Sequence, residues 1–166
     1  RIRRDVPIRL LNVVPTFMCG GTENQFMTLG RSLDADRFDL EFACLRRWGR
    51  LAEELEARRI PLLDCDISTF WSAHAVSQQA RLAHRIVTRR IDVVHTYSFY
   101  GNVFAVPPAR LAGAPAVIAS IRDRGPYLTP AQKRVQRLVC RLADCVLVNA
   151  EAVKSWLIAQ GYEASK

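Results

Sequence analysis

The 166-residue sequence contains no apolar run close to the length of about 20 residues that a membrane-spanning helix needs. Its five cysteines are an odd set without a C-x-x-C pair, so a disulfide framework is disfavoured. Cys44, Cys65 and Cys145 lie in or beside apolar runs, where cysteine behaves as a small buried hydrophobe. We therefore expect a reduced, cytoplasmic compartment.

Several motifs that signal common kinds of site are also missing. Neither G-x-G-x-x-G nor a P-loop is present, so nothing favours a dinucleotide or ATP site. There is no G-x-S-x-G elbow and no carboxylate pair that would support a self-sufficient hydrolase. His74 and His84 lack ligand spacing and neighbouring cysteines, which disfavours zinc. We expect neither a metal nor a cofactor.

Acidic residues are scarce relative to basic ones, with 16 Asp and Glu against 24 Lys and Arg and a net charge of +8. This balance favours an anionic partner, although an ordinary solvated surface has the same composition. Two predicted helices carry arginines every three or four residues, namely Arg81, Arg85, Arg89, Arg134, Arg137 and Arg141. Aromatic residues do not alternate with these arginines, so we expect no nucleic-acid partner. An anionic membrane surface at the cytoplasmic face and a simple solvated face both remain open.

Apolar runs alternate with helical periodicities along the whole chain. The predicted strands are 8–14, 40–45, 60–65, 91–95, 116–121 and 145–148. The predicted helices begin at Thr22 (capped with Gln25), Gly49, His74, the end of the loop 97–102, Thr129 and Asn149. Short apolar strands between helices are typical of a parallel sheet covered on both faces. The prediction is an α/β fold, one Rossmann-like doubly wound domain over residues 1–166.

Finer features of these helices are predicted too. Pro107-Pro108 should interrupt the fourth helix. The inward faces of the third and fifth helices are predicted to be Val76, Ala80, Ala83 and Val87, and Val135, Leu138, Val139 and Leu142, respectively.

A doubly wound sheet binds ligands beyond the carboxyl ends of its strands, at the point where the strand order reverses. If the order is 3-2-1-4-5-6, that crevice lies between the first and fourth strands. Polar loops follow these strands: a glycine loop around Cys19-Gly20-Gly21, and the segment 96–102. The fifth strand ends in Arg122-Asp123, and His95 stands at the end of the fourth. For the glycine loop and for His95, an ordinary turn and a structural histidine are competing interpretations.

Three segments resemble the N-terminal domain of retaining GT-B glycosyltransferases of family 4, and the resemblance covers nearly the whole chain. Gly20-Gly21-Thr22-Glu23 is similar to the G-G-x-E opening of that family. The segment 92–102 resembles its fourth-strand signature, and 143–151 resembles the A-D-x-V-x-x-N-S-E that precedes the interdomain crossing. The resemblance implies an acceptor-side domain whose partner domain, absent from this chain, binds a nucleotide-sugar. It implies transfer with retention to a lipid-linked or polysaccharide acceptor, with the nucleotide-sugar as co-substrate.

Residue roles follow from the resemblance. The donor phosphates are expected at Gly20, Gly21 and Thr22. The expected acceptor-binding residues are Glu23, His95, Tyr97, Ser98 and Asn102. The catalytic assignment falls on Arg122 and Asp123, where many family members have a histidine. Arg122 can supply positive charge but cannot act as a general base, because a guanidinium stays protonated.

Two other interpretations remain. One is a GT-B-like epimerase or phosphorylase, which shares the architecture. The other is a stand-alone Rossmann-like module that binds an anionic ligand without catalysis. If the chain is part of a glycosyltransferase, the isolated domain is expected to be inactive.

Overall fold

Six parallel strands form one sheet in the computed structural model, which describes residues 6–18 and 20–166. The strands are β1 (Ile8–Val14), β2 (Phe38–Cys44), β3 (Leu62–Asp64), β4 (Val93–Tyr97), β5 (Ala116–Ile121) and β6 (Cys145–Val148). Their order is β3-β2-β1-β4-β5-β6, and every adjacent pair is parallel. The predicted fold class is confirmed, and the strand order is the one on which the predicted position of the crevice depended. Cys19, part of the predicted glycine loop, lies outside the described residues.

A helix follows every strand. The helices are α1 (Gly21–Ser32), α2 (Leu51–Ala57), α3 (Ala73–Thr88), α4 (Ser98–Leu111), α5 (Pro130–Cys140) and α6 (Glu151–Ala159). None of the helices in the described part of the chain is long and apolar enough to cross a membrane.

Side chains alternate between the two faces of the sheet and build two cores. Leu11 and Val13 of β1 join the larger core, which includes residues of α3, α4 and α6. Val14 faces the smaller core with Phe26 of α1 and Leu55 of α2. Helices α1 and α2 therefore pack against one face of the sheet, and α3, α4 and α6 pack against the other. This two-sided burial explains why the strands are nearly continuous apolar runs.

The fourth helix differs most from the prediction. It begins at Ser98, directly after β4, so the predicted loop over 97–102 is wrong. It also continues through Pro107 and Pro108 to Leu111. Proline at 108 removes the amide that would bond the Phe104 carbonyl, and Gln79 of α3 donates its Nε2 to that oxygen at 3.0 Å instead. Tertiary contacts thus compensate for a local helix breaker.

Most of the predicted inward positions of α3 and α5 are wrong, although Val139 packs against the larger core. Val76 and Leu138 are 63% and 56% exposed. The residues actually buried are Ala75, Leu82 and Ile86 on α3, and Gln136 and Cys140 on α5. Both segments are helices, as their periodicity predicts, but each helix turns a different face toward the core. On α5 that face includes a polar side chain, Gln136.

Of the two predicted helix starts based on threonine, one is confirmed. The N-cap of α5 is Thr129, whose hydroxyl accepts from the Gln132 amide at 3.2 Å, with Pro130 at the first helical position. In contrast, α1 has Gly20 as its N-cap and begins at Gly21, without a side-chain cap. The capping box predicted at Thr22 is therefore wrong.

Among the described cysteines, Cys44, Cys65, Cys140 and Cys145 are all free thiols, and the first three are buried. The prediction of small buried hydrophobes holds for Cys44 and Cys65, while Cys145 is only partly buried.

Candidate functional site

The carboxyl ends of β1, β4 and β5 lie side by side, so the segments that follow them meet at one edge of the sheet. A depression of about 800 Å³ lies near the amino ends of β1 and β2, away from these segments. We place the site at the carboxyl edge, because a doubly wound sheet presents its loops and helix N-termini there.

The glycine pair forms the start of α1 at this edge. A Cβ on Gly20 would lie 2.5 Å from Oε2 of Glu23, whereas a Cβ on Gly21 would meet nothing within 4 Å. The Asn24 amide donates to the Gly20 carbonyl at 3.0 Å, the first bond of the helix. Helix geometry leaves the amides of the three residues before Asn24 without intrahelical partners. An anion approaching Gly21 would meet these amides.

His95 of β4, the strand beside β1, is part of a buried polar network. Its Nε2 lies 2.7 Å from Oγ of Ser120 on β5, and its Nδ1 lies 3.0 Å from the hydroxyl of Tyr97. Burial, and then the nearby positive charge of Arg122, lowers the pKa of His95 from 6.5 to about 4. Burial also raises the pKa of Tyr97. His95 is therefore neutral at physiological pH and only 4% exposed.

Two further hydrogen bonds, both made by the Asn102 side chain, connect β4 with β5. Asn102 of α4 is fully buried, accepts from Oγ1 of Thr96 at 2.6 Å, and donates to the Ser120 carbonyl at 3.1 Å. Its amide is thus occupied within the fold, and its predicted acceptor contact stays a prediction.

Arg122 extends from the end of β5 over the Tyr97 ring, with its guanidinium carbon 5.4 Å from the ring centre. Its Nε is buried without a hydrogen-bond partner. Asp123 is exposed, and its Oδ1 accepts from the Gly125 amide at 2.6 Å, which tightens the turn after β5. Burial, and then the Asp123 carboxylate, raises the pKa of Tyr127.

A cavity of about 390 Å³ lies between α5, α6 and the loop after β5. Three predicted site residues line it: Ser98, Arg122 and Asp123. Ser98 has a φ of 62°, an uncommon conformation for a non-glycine residue and one that is enriched at functional sites. The glycine pair, Thr22 and Glu23 are not part of this cavity. The structure therefore divides the predicted residues into three groups: the glycine edge (Gly20, Gly21, Thr22 and Glu23), this cavity, and the buried network of His95, Tyr97 and Asn102.

Sequence analysis missed much of the cavity wall. Cationic and aromatic side chains of α5 and α6 line it, among them Lys133, Arg134, Arg137 and Trp156. The arginine periodicity on α5 was visible in the sequence but indicated a surface stripe. No signal in the sequence links Trp156 of α6 to the end of β5.

Within residues 6–18 and 20–166, no three His, Cys, Asp or Glu side chains are grouped so that they could hold a metal ion. The fold and this edge define a Rossmann-like half-domain with an anion-compatible carboxyl edge.

The chain belongs to the glycosyl transferase 4-like domain family, which matches residues 20–166. This membership confirms the predicted resemblance to family 4 glycosyltransferases. Comparison with curated protein sequences gives no significant match.

Solved structures share the fold at low sequence identity. HepE of Anabaena, solved with UDP and glucose, is 17% identical with a TM-score of 0.77, over 95% of this chain and 42% of that one. MurG of Acinetobacter baumannii is 16% identical with a TM-score of 0.65, over 86% and 41%. The UDP-GlcNAc 2-epimerase of Methanocaldococcus jannaschii is 13% identical with a TM-score of 0.68, over 96% and 44%. The chain thus spans less than half the length of these proteins.

Proposed function

We propose that this chain is the acceptor-side domain of a glycosyltransferase that moves a sugar, with retention, from a nucleotide-sugar to a lipid-linked or polysaccharide acceptor. A second domain, outside this chain, binds most of the donor. The observation that carries the proposal is the open glycine start of α1 at the carboxyl edge, in a chain of the glycosyl transferase 4-like family.

The donor diphosphate approaches Gly20, Gly21 and Thr22. The space around Gly21 is open, and the first amides of α1 point outward with the positive end of the helix dipole. The UDP bound to HepE supports a nucleotide diphosphate as the donor class.

On the acceptor side, Glu23 and Ser98 are partly exposed and can contact the substrate. His95, Tyr97 and Asn102 form the buried support beneath them, since their polar groups bond within the sheet. Arg122 supplies fixed positive charge where a phosphate or an oxyanion develops, with Asp123 beside it.

A lipid-linked acceptor is supported by the outward face of α5. Val135 and Leu138 are exposed on it, Leu142 is exposed just after the end of the helix, and arginines lie beside them in the sequence. An apolar stripe flanked by basic residues is typical of a helix that lies on an anionic membrane. Sedimentation with anionic vesicles should capture the protein, and L138E should release it. Equal sedimentation of both proteins would remove the support for a membrane acceptor.

The donor proposal is tested with the gene product at its native length and a panel of UDP-, GDP- and ADP-sugars. We expect turnover of one donor class, and NMR of the product should show the donor's anomeric configuration. Product with the opposite configuration would rule out retention, and no turnover of any donor would rule out the transferase.

Two matched substitutions on α1 locate the donor. G21A adds a methyl group to open space, so it should leave the melting temperature unchanged but raise the KM for the donor about tenfold. T28A, on an exposed part of the same helix, should change neither. An unchanged donor KM in G21A would place the diphosphate elsewhere.

A second candidate is a sugar-nucleotide epimerase, favoured by the fold shared with the 2-epimerase of M. jannaschii. Product analysis separates the two: free epimerised sugar nucleotide supports the epimerase, and a glycoside supports the transferase.

A further inference from the structure

The charge on the walls of the 390 Å³ cavity is strongly one-sided. The cationic side chains that line it are Arg122, Arg124, Lys133, Arg134 and Arg137, and the carboxylate among the lining residues is Asp123. One oxygen of Asp123 already accepts from the Gly125 amide. Cations gathered around one enclosed space repel one another unless an anion occupies it.

Two of these arginines are partly buried in the wall. Nε of Arg122 and Nε of Arg137 are buried without a hydrogen-bond partner, although both residues line the cavity. Arg137 is also held in place, since its Nη1 donates to the Gln160 carbonyl at 2.6 Å. Because these Nε atoms are closed off, a ligand would meet the outer guanidinium nitrogens, whose planar arrangement suits an oxyanion with several oxygens, such as a phosphate.

The surroundings favour the same ligand. Pro130, at the first position of α5, lines the cavity, so the positive end of an 11-residue helix lies at its wall. The volume falls within the range of about 300–1,000 Å³ that is usual for small-molecule pockets. Trp156 gives one side of the wall an aromatic surface, and Lys133 lies 5.6 Å from its ring centre. A phosphate that continues into an apolar or sugar portion would match this mixture.

We propose that the cavity binds a phosphate or pyrophosphate group of the acceptor. This assignment rests on the proposed transferase function, because it takes the glycine edge to be the donor site. The donor diphosphate approaches α1, on the β1 side of β4, whereas the cavity lies on the β5 side. Arg122 stands at the boundary between the two.

The experiment measures calorimetric binding of inorganic pyrophosphate and of UDP to the native-length protein. Pyrophosphate should bind, and R137Q and R134Q should each weaken its binding about tenfold, since each removes a charged donor from the wall. R141Q is the matched control, because Arg141 is an exposed arginine of the same stretch outside this cavity, and it should change pyrophosphate affinity little. UDP should bind equally to all four proteins.

R137Q also removes the bond to the Gln160 carbonyl, so its melting temperature is recorded. R134Q changes an exposed side chain, so it should fold normally. If R137Q is unstable, the pyrophosphate affinity of R134Q tests the proposal. Equal pyrophosphate affinity in R134Q and R141Q would overturn the proposal, and so would displacement of pyrophosphate by UDP, which would assign the cavity to the donor.

Donor turnover is measured separately. Turnover without pyrophosphate binding would reject the cavity assignment and keep the transferase. Binding that responds to R134Q in a protein without turnover would reject the transferase, and with it the acceptor assignment, and leave only an anion site.

Discussion

Nε2 of His95 and Oγ of Ser120 lie 2.7 Å apart across the β4–β5 boundary, and both side chains are buried. The contact places an ionisable ring in the sheet at the edge where the candidate site is built. The burial that lowers the His95 pKa also makes the fold sensitive to acid.

Stability should therefore fall with pH in a window set by His95. In the folded protein its pKa is about 4, against 6.5 for the free side chain. Between these values the unfolded chain binds a proton that the folded one does not, so stability falls as pH drops from 6.5 to about 4. The loss attributable to this group is of the order of 3 kcal/mol. Urea unfolding of the native protein and of H95Q at pH 7.5 and 5.0 measures the part of this loss that occurs above pH 5, about 2 kcal/mol.

Carboxylates also titrate toward pH 4, so the comparison with H95Q is essential. At pH 7.5, H95Q should have a lower free energy of unfolding than the native protein, but acidification should lower that free energy less in H95Q. Parallel losses in the two proteins would show that His95 does not control the acid response.

Glu41 should be the most sensitive charge in the described core. Glu41 is buried on β2, and its carboxylate pairs with two guanidinium groups, those of Arg85 on α3 and of Arg89 at the end of α3. Each N–O distance is 2.6 Å. Because either arginine still pairs with Glu41 when the other is lost, R85M and R89M should each cost little. The double variant leaves a buried unpaired carboxylate and should cost about 3–5 kcal/mol. Denaturant unfolding of all four proteins checks this, and strictly additive costs would show that the arginines act independently.

Gly49 should tolerate no side chain. Its φ is 110°, and a Cβ there would lie 1.9 Å from the Phe17 carbonyl oxygen. Gly113 has a φ of 72° but open space around it, so G113A pays only the conformational cost of about 1–2 kcal/mol. G49A adds a backbone clash and should cost clearly more. Thermal unfolding of the two variants compares them, and equal losses would mean that the loop after β2 moves to admit the methyl group.

The proline-containing helix α4 should depend on its neighbour α3. Removing Gln79 leaves the Phe104 carbonyl without its donor, so Q79L should cost about 1–3 kcal/mol. In a P108A background the restored amide can bond the same carbonyl, and Q79L should cost less there. The double-mutant cycle measures this coupling, and identical costs in both backgrounds would separate Gln79 from the proline defect.

The sequence by itself determined the fold class, the parallel arrangement of the strands and the family of this protein. These follow from local features: apolar strand runs, alternation with helices, and short motifs such as Gly20-Gly21-Thr22-Glu23. The α5 start was readable too, because Thr129, Pro130 and Gln132 act within one turn.

Only the tertiary structure decided which face of each helix is buried and where α4 ends. The apolar stripe of α5 points outward, since the cavity and Gln136 occupy its inner side, and α4 runs through Pro107 and Pro108 because Gln79 replaces a lost donor. The cavity itself joins Arg122 at the end of β5 with Arg137 and Trp156, which are distant in the chain. Short sequence patterns reflect interactions between residues that are close in the chain. A site whose residues come from several strands and helices depends on contacts between distant residues, which no such pattern encodes.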